Sequence, residues 1–348
     1  MNVNMSQLNE TIASNSTETP VIASVKPYLV ELFITLGVLA HVWPAIILFG
    51  LVVNCINIVV FLKTGAKDNV TILLFSLSMS DLMFLILITP TMCALSIIGL
   101  NRSYPWPFDN EISIYLFYWP AYTIYDVSAY ISLSLGLMRC ACVAMPLKFK
   151  SFFTTSRTLK WLVLLVVLAI SLRMPMLSVV RIGWRTDPTT NVSEAYVILH
   201  NGSKMVGVDN ILNRTLIMPL AFLTMIFCVI ILSYKLYEAS RIRQSTTGKA
   251  SRNQGLSSKD LRVVQSVTLV CGIFILSQLI FVISSLIRYF IPEYGGGQRL
   301  SLLHSLVNKV GMTCSYMNAS LNIFVYYRYN SKYRATFKAL LCGKANEE

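Results

Sequence analysis

The sequence predicts an all-α membrane protein, a bundle of seven transmembrane helices followed by a short amphipathic surface helix. Of the 348 residues, 55% are hydrophobic and only 13% are charged, whereas soluble domains carry about 25% charged residues. Seven apolar stretches are long enough, or nearly so, to cross a bilayer core of about 30 Å as helices. They span residues 34–62, 70–98, 112–138, 161–180, 215–234, 263–287 and 310–327.

Lysine and arginine are concentrated in the connections on one side of this bundle. Membrane proteins keep such basic connections in the cytoplasm. The N-terminus is therefore predicted to be extracellular and the C-terminus cytoplasmic, in a multi-pass protein of the plasma membrane. The net charge of +13 is then explained by topology, with membrane lipid as a partner, and nucleic-acid binding is not expected. The basic connections are 63–69, 139–160, 235–262 and 328–348.

The chain divides into three predicted regions. Residues 1–33 form an extracellular glycosylated tail, residues 34–327 the seven-helix domain, and residues 328–348 an amphipathic helix with a short cytoplasmic tail. Cys342 ends this last helix, and both palmitoylation and an unmodified buried thiol remain open. Apolar residues at helical spacing predict the helix over 329–342, namely Tyr333, Phe337, Leu340 and Leu341.

Glycosylation sequons agree with this orientation. An asparagine two residues before serine or threonine accepts a glycan only on the extracellular side. Seven such asparagines fall in the tail or the first two outer connections, and we expect them to be glycosylated. They are Asn4, Asn9, Asn15, Asn101, Asn191, Asn201 and Asn213.

Two charges of opposite sign lie deep within predicted helices. Asp126 and Arg173 each stand about 20 Å above the inner end of their helix, at 1.5 Å per residue. An isolated charge at such depth is expensive, which favours pairing. We therefore predict a buried ion pair between Asp126 and Arg173. In the alternative, Arg173 reaches outward to water while Asp126 stays protonated or binds a cationic group of a ligand.

Several short motifs occur in the order and spacing of a known receptor family. They include GLVVNCINI in the first helix, SLSMSDL in the second, MRCACVAMPLKF after the third and NASLNIFVYY in the seventh. Together with the seven helices, they resemble the rhodopsin-like G-protein-coupled receptors over about 300 positions. The residues that match the family's motifs are Asn54, Asp81, Arg139, Phe274, Asn322 and Tyr326.

The sequence also departs from the family's pattern. Met138 replaces the acid before the arginine, Gln278 replaces the tryptophan of the sixth helix, and Ile323 replaces the proline of the seventh. The family's outer disulfide is missing on both sides, because residues 181–214 contain no cysteine and Ile114 holds the other position. We expect the outer connection to be held by packing or sugars. The variant motifs resemble an expanded group of invertebrate, especially molluscan, receptors described as chemosensory-like or neuropeptide-receptor-like.

The resemblance implies a receptor that binds an extracellular peptide or small chemosensory molecule and activates a heterotrimeric G protein. The alternative class is a seven-helix transporter or channel, although the sequence shows no internal repeat. An intramembrane enzyme would need paired catalytic groups at depth, and only Asp81, Asp126 and Arg173 are available there.

The family's ligand pocket corresponds to the outer halves of the third, sixth and seventh helices. Aromatic walls with few polar tips suit a buried ligand, although aromatics at this spacing also serve plain helix packing. Ala121 stands where amine receptors place an aspartate, and Tyr316 stands where opsins place a lysine, so neither class is expected. The predicted ligand-binding residues are Tyr118, Tyr122, Tyr125, Asp126, Gln278, Phe281 and Tyr316.

The resemblance also assigns residues to activation and coupling. Arg139 is predicted to be held by Asp260 at the base of the sixth helix in the inactive state, and to contact the G protein once it is released. The alternatives are an interfacial anchor for Arg139 and a solvated loop carboxylate for Asp260. Phe274, Asn322 and Tyr326 complete this set.

Asp81 is a carboxylate in mid-membrane, where function is the default hypothesis. The family groups this aspartate around an allosteric sodium ion with residues that match Ser128, Asn318 and Asn322. A protonated Asp81, hydrogen-bonded to the asparagines, is the alternative. No other cofactor and no other metal is expected.

Overall fold

The described part of the chain is a bundle of long helices, as the sequence predicts. The computed structural model describes residues 37–65, 68–100, 110–144, 153–186, 193–199, 202–245, 258–295 and 298–341. The labelled helices are α1 Trp43–Thr64, α2 Asn69–Leu100, α3 Trp119–Ala144, α4 Thr155–Leu177, α5 Met218–Ser245, α6 Ser258–Phe290, α7 Ser301–Tyr329 and α8 Ser331–Leu341.

Helices α1 to α6 each supply all or most of a segment that is long and apolar enough to cross a membrane, and these are the only six such segments among the described residues. Their outward side chains are apolar, as Val163 (64% exposed) and Leu223 (62% exposed) illustrate, which suits a lipid surface. Helix α7 is also long, at 29 residues. Several of its buried side chains are polar, among them Ser315, Asn318 and Asn322.

Three helices, α2, α4 and α8, begin at the same end of the bundle. A side chain caps the first turn of each. Asp68 accepts hydrogen bonds from the backbone amide and hydroxyl of Thr71 at 3.1 and 2.7 Å. Thr154 accepts from the amide of Arg157, and Asn330 caps α8 in the same way. Such caps satisfy backbone donors that have no partner inside the helix. This end is called the inner end, following the orientation predicted from the basic connections.

The outer connection between α4 and α5 contains an antiparallel hairpin of β1 Val180–Thr186 and β2 Ser193–Leu199. Beyond it, helical structure starts at Gly202, well before the predicted boundary at 215, and reaches α5 through a π-helical turn at Asn210–Ile217. Because the fifth apolar span begins only at 215, the sequence predicts residues 202–214 as part of the outer connection. Asp209 is nevertheless buried there at 2% exposure, because it has a cationic partner inside the bundle.

The interior contains two apolar clusters. One fills the inner half between α2, α3, α5 and α6, with Leu77, Leu135 and Val267 among its fully buried members. The other fills the outer half around Phe84 and Tyr316. The outer cluster forms the floor of a cavity at the outer end of the bundle.

Candidate ligand cavity and buried polar sites

A cavity of about 310 Å³ opens between the outer ends of the helices. Its aromatic lining includes Trp119 and Tyr122 of α3 and Phe281 of α6. Arg173 of α4 and Asn308 of α7 also line it. Aromatic walls with a few polar groups are typical of small-molecule sites, which measure roughly 300–1,000 Å³. Three of the predicted ligand-binding residues line this cavity, namely Tyr122, Asp126 and Phe281.

The position of Phe281 depends on a glycine in the neighbouring helix. A Cβ atom at Gly311 of α7 would lie 2.9 Å from the Phe281 ring, closer than carbon atoms approach without a shift. The absence of a side chain at Gly311 therefore lets the ring pack against the backbone of α7. This contact fixes one wall of the cavity.

The other three predicted tyrosines do not line the cavity, and two of them form a packed floor beneath it. Tyr125 and Tyr316 are fully buried, with Phe84 between them at ring-centroid distances of 4.9 and 5.9 Å. Gln278 is also buried and donates a hydrogen bond from Nε2 to the Tyr125 hydroxyl at 2.8 Å. Tyr118 lies above this floor, with its ring 4.6 Å from that of Tyr122.

The predicted ion pair between Asp126 and Arg173 is confirmed. The Nε and Nη2 atoms of Arg173 donate to Oδ2 of Asp126 at 3.0 and 2.8 Å. The Nη1 atom donates to both carboxylate oxygens of a second acid, Asp209, at 3.0 and 2.9 Å. Arg173 and Asp209 are buried, with side chains 6% and 2% exposed. One arginine thus joins α3, α4 and the helix that leads into α5.

The apolar spans do not predict the burial of Asp209, because this residue precedes the fifth span, which begins at 215. A usable signal was present in the sequence. Asp209 and Asn213 lie four residues apart, one helical turn, next to apolar Val208 and Leu212, which together favour a buried helix with one polar edge. The cavity-lining Arg214 and Arg288 were also missed, as they stand just outside the predicted apolar spans.

The predicted glycosylation of Asn213 is incompatible with this structure. Its side-chain nitrogen, the atom that would carry a glycan, is buried and donates to the Leu172 carbonyl at 3.1 Å and to Asp209 Oδ1 at 2.7 Å. A glycan on this nitrogen would replace one of the two hydrogen bonds. Asn213 instead helps to hold the start of the fifth helix against α4.

The group around Asp81 lies at the centre of the bundle. Asn322 of α7 donates to Oδ2 of Asp81 at 2.9 Å, and Ser128 donates to the hydroxyl of Ser80 at 2.8 Å. Asn318 is buried one turn before Asn322. Within the described residues, Oδ1 of Asp81 and Oδ1 of Asn322 are buried without a hydrogen-bond donor. Oxygen atoms in this situation fit a small cation or a water molecule.

A second polar group connects the first helix to the seventh and eighth. Asn54 donates to the carbonyls of Gly50 and Ala319 at 2.9 and 2.7 Å, which holds α1 against α7. Asn57 accepts a hydrogen bond from the Tyr333 hydroxyl at 2.5 Å, which holds α8 against α1. The short helix is thereby fixed to the inner end of the bundle.

The predicted activation residues lie at or towards the inner end. Arg139 is half-buried near the end of α3, and Phe274 is buried in the inner apolar cluster. Tyr326 is fully buried, with its ring 5.3 Å from that of Phe61 and 5.7 Å from that of Tyr333. Asp260 lies in the first turn of α6, but its side chain is outside the described part, so the predicted contact with Arg139 stays a prediction.

The remaining predicted modification sites lie outside the described residues. They are Asn4, Asn9, Asn15, Asn101, Asn191, Asn201 and Cys342.

Comparison with known proteins agrees with the helical bundle and its cavity. Among curated proteins, no sequence matches this chain significantly. The sequence profile described as 7 transmembrane receptor (rhodopsin family) matches residues 53–326, which extend from α1 to the end of α7 and include the outer cavity, the Asp81 group and Tyr326. The chain therefore belongs to the rhodopsin family of seven-transmembrane receptors.

Proposed function

We propose that the chain binds an extracellular peptide or small chemosensory molecule in the outer cavity and activates a heterotrimeric G protein at its inner end. The observation that carries this proposal is the cavity itself, which is bounded by α3, α4, α6 and α7 and contains both aromatic and charged side chains. Family membership supports receptor function and G-protein coupling, and it does not favour the transporter alternative.

The floor of the cavity connects the ligand site to the helices that move. The Tyr122 ring lines the cavity and contacts Phe84 at 5.6 Å, and Phe84 in turn contacts Tyr125 and Tyr316. Tyr125 accepts a hydrogen bond from Gln278 of α6, and Tyr316 belongs to α7. A ligand that displaces Tyr122 therefore strains, through Phe84, contacts to both α6 and α7. Packed interiors respond to such strain by switching between discrete arrangements.

The inner end supplies the proposed coupling surface. Release of Arg139 from Asp260 and movement of α6 would open a groove for the G protein. Phe274 of α6 is buried in the inner apolar cluster, and Asn322 and Tyr326 lie on the adjoining α7.

The Asp81 group is proposed as an allosteric sodium site. Asp81 and Asn322 each offer one buried oxygen without a donor in the described residues. Ser128 and Asn318 are buried as well. Hard cations prefer such oxygen ligands. When bound, the ion would neutralise Asp81 and hold α2 against α7.

The membrane orientation belongs to the same proposal. The ligand cavity faces outward only if the N-terminus is extracellular and the C-terminus cytoplasmic, in the plasma membrane. In that orientation α8 lies on the inner leaflet, where a palmitoylated Cys342 would add a lipid anchor.

Asp260→Ala provides a test that needs no ligand. The pair with Arg139 contributes about 1–3 kcal/mol as a charge-assisted contact, so its loss should raise basal GTP exchange on purified Gα without changing surface expression. The adjacent Lys259→Ala is the matched control and should leave basal exchange unchanged. If neither the wild-type chain nor the Asp260→Ala variant promotes exchange on any Gα class, coupling to G proteins is wrong.

A further inference from the structure

The carboxylates next to the outer cavity are already engaged. Asp126 is the only acidic residue among the described residues that line it, and its Oδ2 atom accepts two bonds from Arg173. Asp209 is 2% exposed, does not line the cavity, and receives both N–H groups of Arg173 Nη1. Neither acid is therefore presented to a ligand as an unpaired anion.

Two further arginines line the same cavity, and they differ from Arg173 in their charge pairing. Arg214 lies on the π-helical turn before α5, and Arg288 lies in the last turn of α6. Neither forms an ion pair within the described part of the chain. Both act electrostatically on the imidazole of His304, which lines the same cavity.

We propose that the cavity selects ligands that carry a carboxylate on an aromatic or apolar body, with the carboxylate between Arg214 and Arg288. A guanidinium group offers five N–H donors and no acceptor, in a geometry that matches a carboxylate. Tyr122 and Phe281 form the apolar walls for the rest of the ligand. This inference rests on the proposed receptor function and names its ligand class.

A cationic ligand is the competing candidate, because a cation binds favourably over an aromatic ring. The cavity already uses this contact internally, since the Arg173 guanidinium lies 5.7 Å from the centre of the Trp119 ring. A second cation would enter beside Arg214 and Arg288 without an unpaired acid among the described lining residues. Charge repulsion therefore favours the anion.

Three probes that share the phenylalanine side chain and differ in charge separate these candidates. N-acetylphenylalanine is an anion, N-acetylphenylalaninamide is neutral, and phenylalaninamide is a cation. Each is added at millimolar concentration to the purified full-length receptor, and binding is measured as a shift in the thermal unfolding midpoint. The anion should bind about tenfold more tightly than the neutral probe, since a charge-assisted pair is gained. The cation should bind most weakly.

Variants then assign the charge preference to the two arginines. Arg214→Gln and Arg288→Gln should each reduce the preference for the anion about tenfold. The Arg→Lys substitutions at these positions keep the charge and should retain part of it. Arg181→Gln, on the exposed hairpin strand, is the matched control and should bind as wild type does. The lysine variants also keep the test informative if a glutamine variant fails to fold.

The source of the carboxylate is resolved by a second pair of probes. A random tripeptide mixture with free C-termini and the same mixture with amidated C-termini are compared with the single amino-acid probes. Preference for the free-acid peptides indicates a peptide C-terminus, and preference for the single amino acid indicates a small molecule. Both outcomes support a carboxylate ligand.

The inference and the proposed function fail in different ways. The carboxylate assignment is overturned if the three probes bind equally, if the cation binds most tightly, or if no probe binds. This holds even if the Asp260→Ala variant promotes GTP exchange. Anion-selective binding that depends on Arg214 and Arg288, together with a complete lack of exchange, would instead overturn G-protein coupling and leave the site in place.

Discussion

At Arg173, a single guanidinium pairs with two carboxylates that belong to different segments of the chain. Removing one member of a buried ion pair is more harmful than replacing the whole group, because the remaining charge is left without a partner. The three members are not equivalent, since the group contains two acids and one base. Loss of either acid leaves a balanced pair, whereas loss of Arg173 leaves two carboxylates facing each other.

The first prediction follows from this asymmetry. Arg173→Gln should lower the free energy of unfolding by about 3–5 kcal/mol, and Asp209→Asn by about 1–2 kcal/mol. Both effects are measured as thermal unfolding of the purified receptor and as receptor density at the cell surface. The triple variant Asp126→Asn, Arg173→Gln, Asp209→Asn should recover part of the loss. If Arg173→Gln is no worse than Asp209→Asn, the description of the group is wrong.

The sequence indicated half of this group and missed the other half for a physical reason. Asp126 and Arg173 lie inside obvious apolar spans, so their depth follows from counting residues. Asp209 lies among polar residues, and only its partner makes its burial favourable. The same limit applies to Tyr125 and Tyr316, because the sequence gives their helix and height but not whether a neighbouring ring covers them.

A glycine in α7 provides a second residue-scale prediction. At Gly311→Ala, the added Cβ atom would lie 2.9 Å from the Phe281 ring, and such overpacking lowers the free energy of unfolding by about 1–3 kcal/mol. Gly272→Ala in α6 is the control, since no atom lies within 4 Å of its added Cβ. There the better helix propensity of alanine should stabilise the protein by about 0.5–1 kcal/mol. Effects of the same sign in both variants would contradict the packing described here.

At the scale of helices, hydropathy predicted where the chain crosses the bundle but not where each helix ends. Helices α6 and α7 extend beyond their predicted spans of 263–287 and 310–327, to Ser258–Phe290 and Ser301–Tyr329. Charged and polar residues mark the limit of an apolar span, yet backbone hydrogen bonding continues past them into water. The surface helix, predicted over 329–342, is Ser331–Leu341, and its start is fixed by the Asn330 cap.

The attachment of α8 to α1 gives the third prediction. Burial raises the pKa of the Tyr333 hydroxyl, so it stays protonated and donates to Asn57 at physiological pH. Tyr333→Phe removes this bond and should destabilise the attachment by about 1 kcal/mol. Backbone amides of Ser331–Leu341 should then exchange faster with deuterium.

Tyr327→Phe is the matched control for that experiment. The Tyr327 ring also packs on α8, 5.5 Å from Phe337, but its hydroxyl forms no hydrogen bond among the described residues. Amide exchange in α8 should therefore stay at the wild-type rate. Faster exchange in the Tyr327→Phe variant, or an unchanged rate in Tyr333→Phe, would show that the Asn57 contact does not hold the helix.

At the scale of the whole molecule, six apolar segments and a seventh, more polar helix enclose the two layers of the proposed function. The outer layer contains the cavity and the Arg173 group, and the inner layer contains Arg139 and the aromatic contacts of Tyr326. The Asp81 group lies between them. The composition and the seven spans were sufficient to predict this architecture, since lipid restricts a spanning chain to few solutions. The ligand chemistry required the structure, because it depends on which charges are already paired.

The last prediction concerns orientation and uses the sequons as markers. If the N-terminus is extracellular, treatment with an N-glycosidase should lower the apparent mass of the membrane-expressed protein. Asn201→Gln should reduce this shift, because the sequence predicts a glycan at this position in the outer connection. Asn213→Gln should leave the shift unchanged and lower surface expression, because its side chain bonds Leu172 and Asp209. Asn69→Gln, at a sequon on the inner end, is the control without any glycan.

The outcomes of this experiment separate topology from local structure. No mass shift, together with antibody access to a C-terminal tag in intact cells, would reverse the orientation and place the Arg214 and Arg288 cavity in the cytoplasm. A smaller glycan shift in Asn213→Gln would leave the orientation intact, but it would require the Asn213 amide to be exposed. The helix that leads into α5 could not then be packed against α4, and Arg173 would lose the support of Asp209.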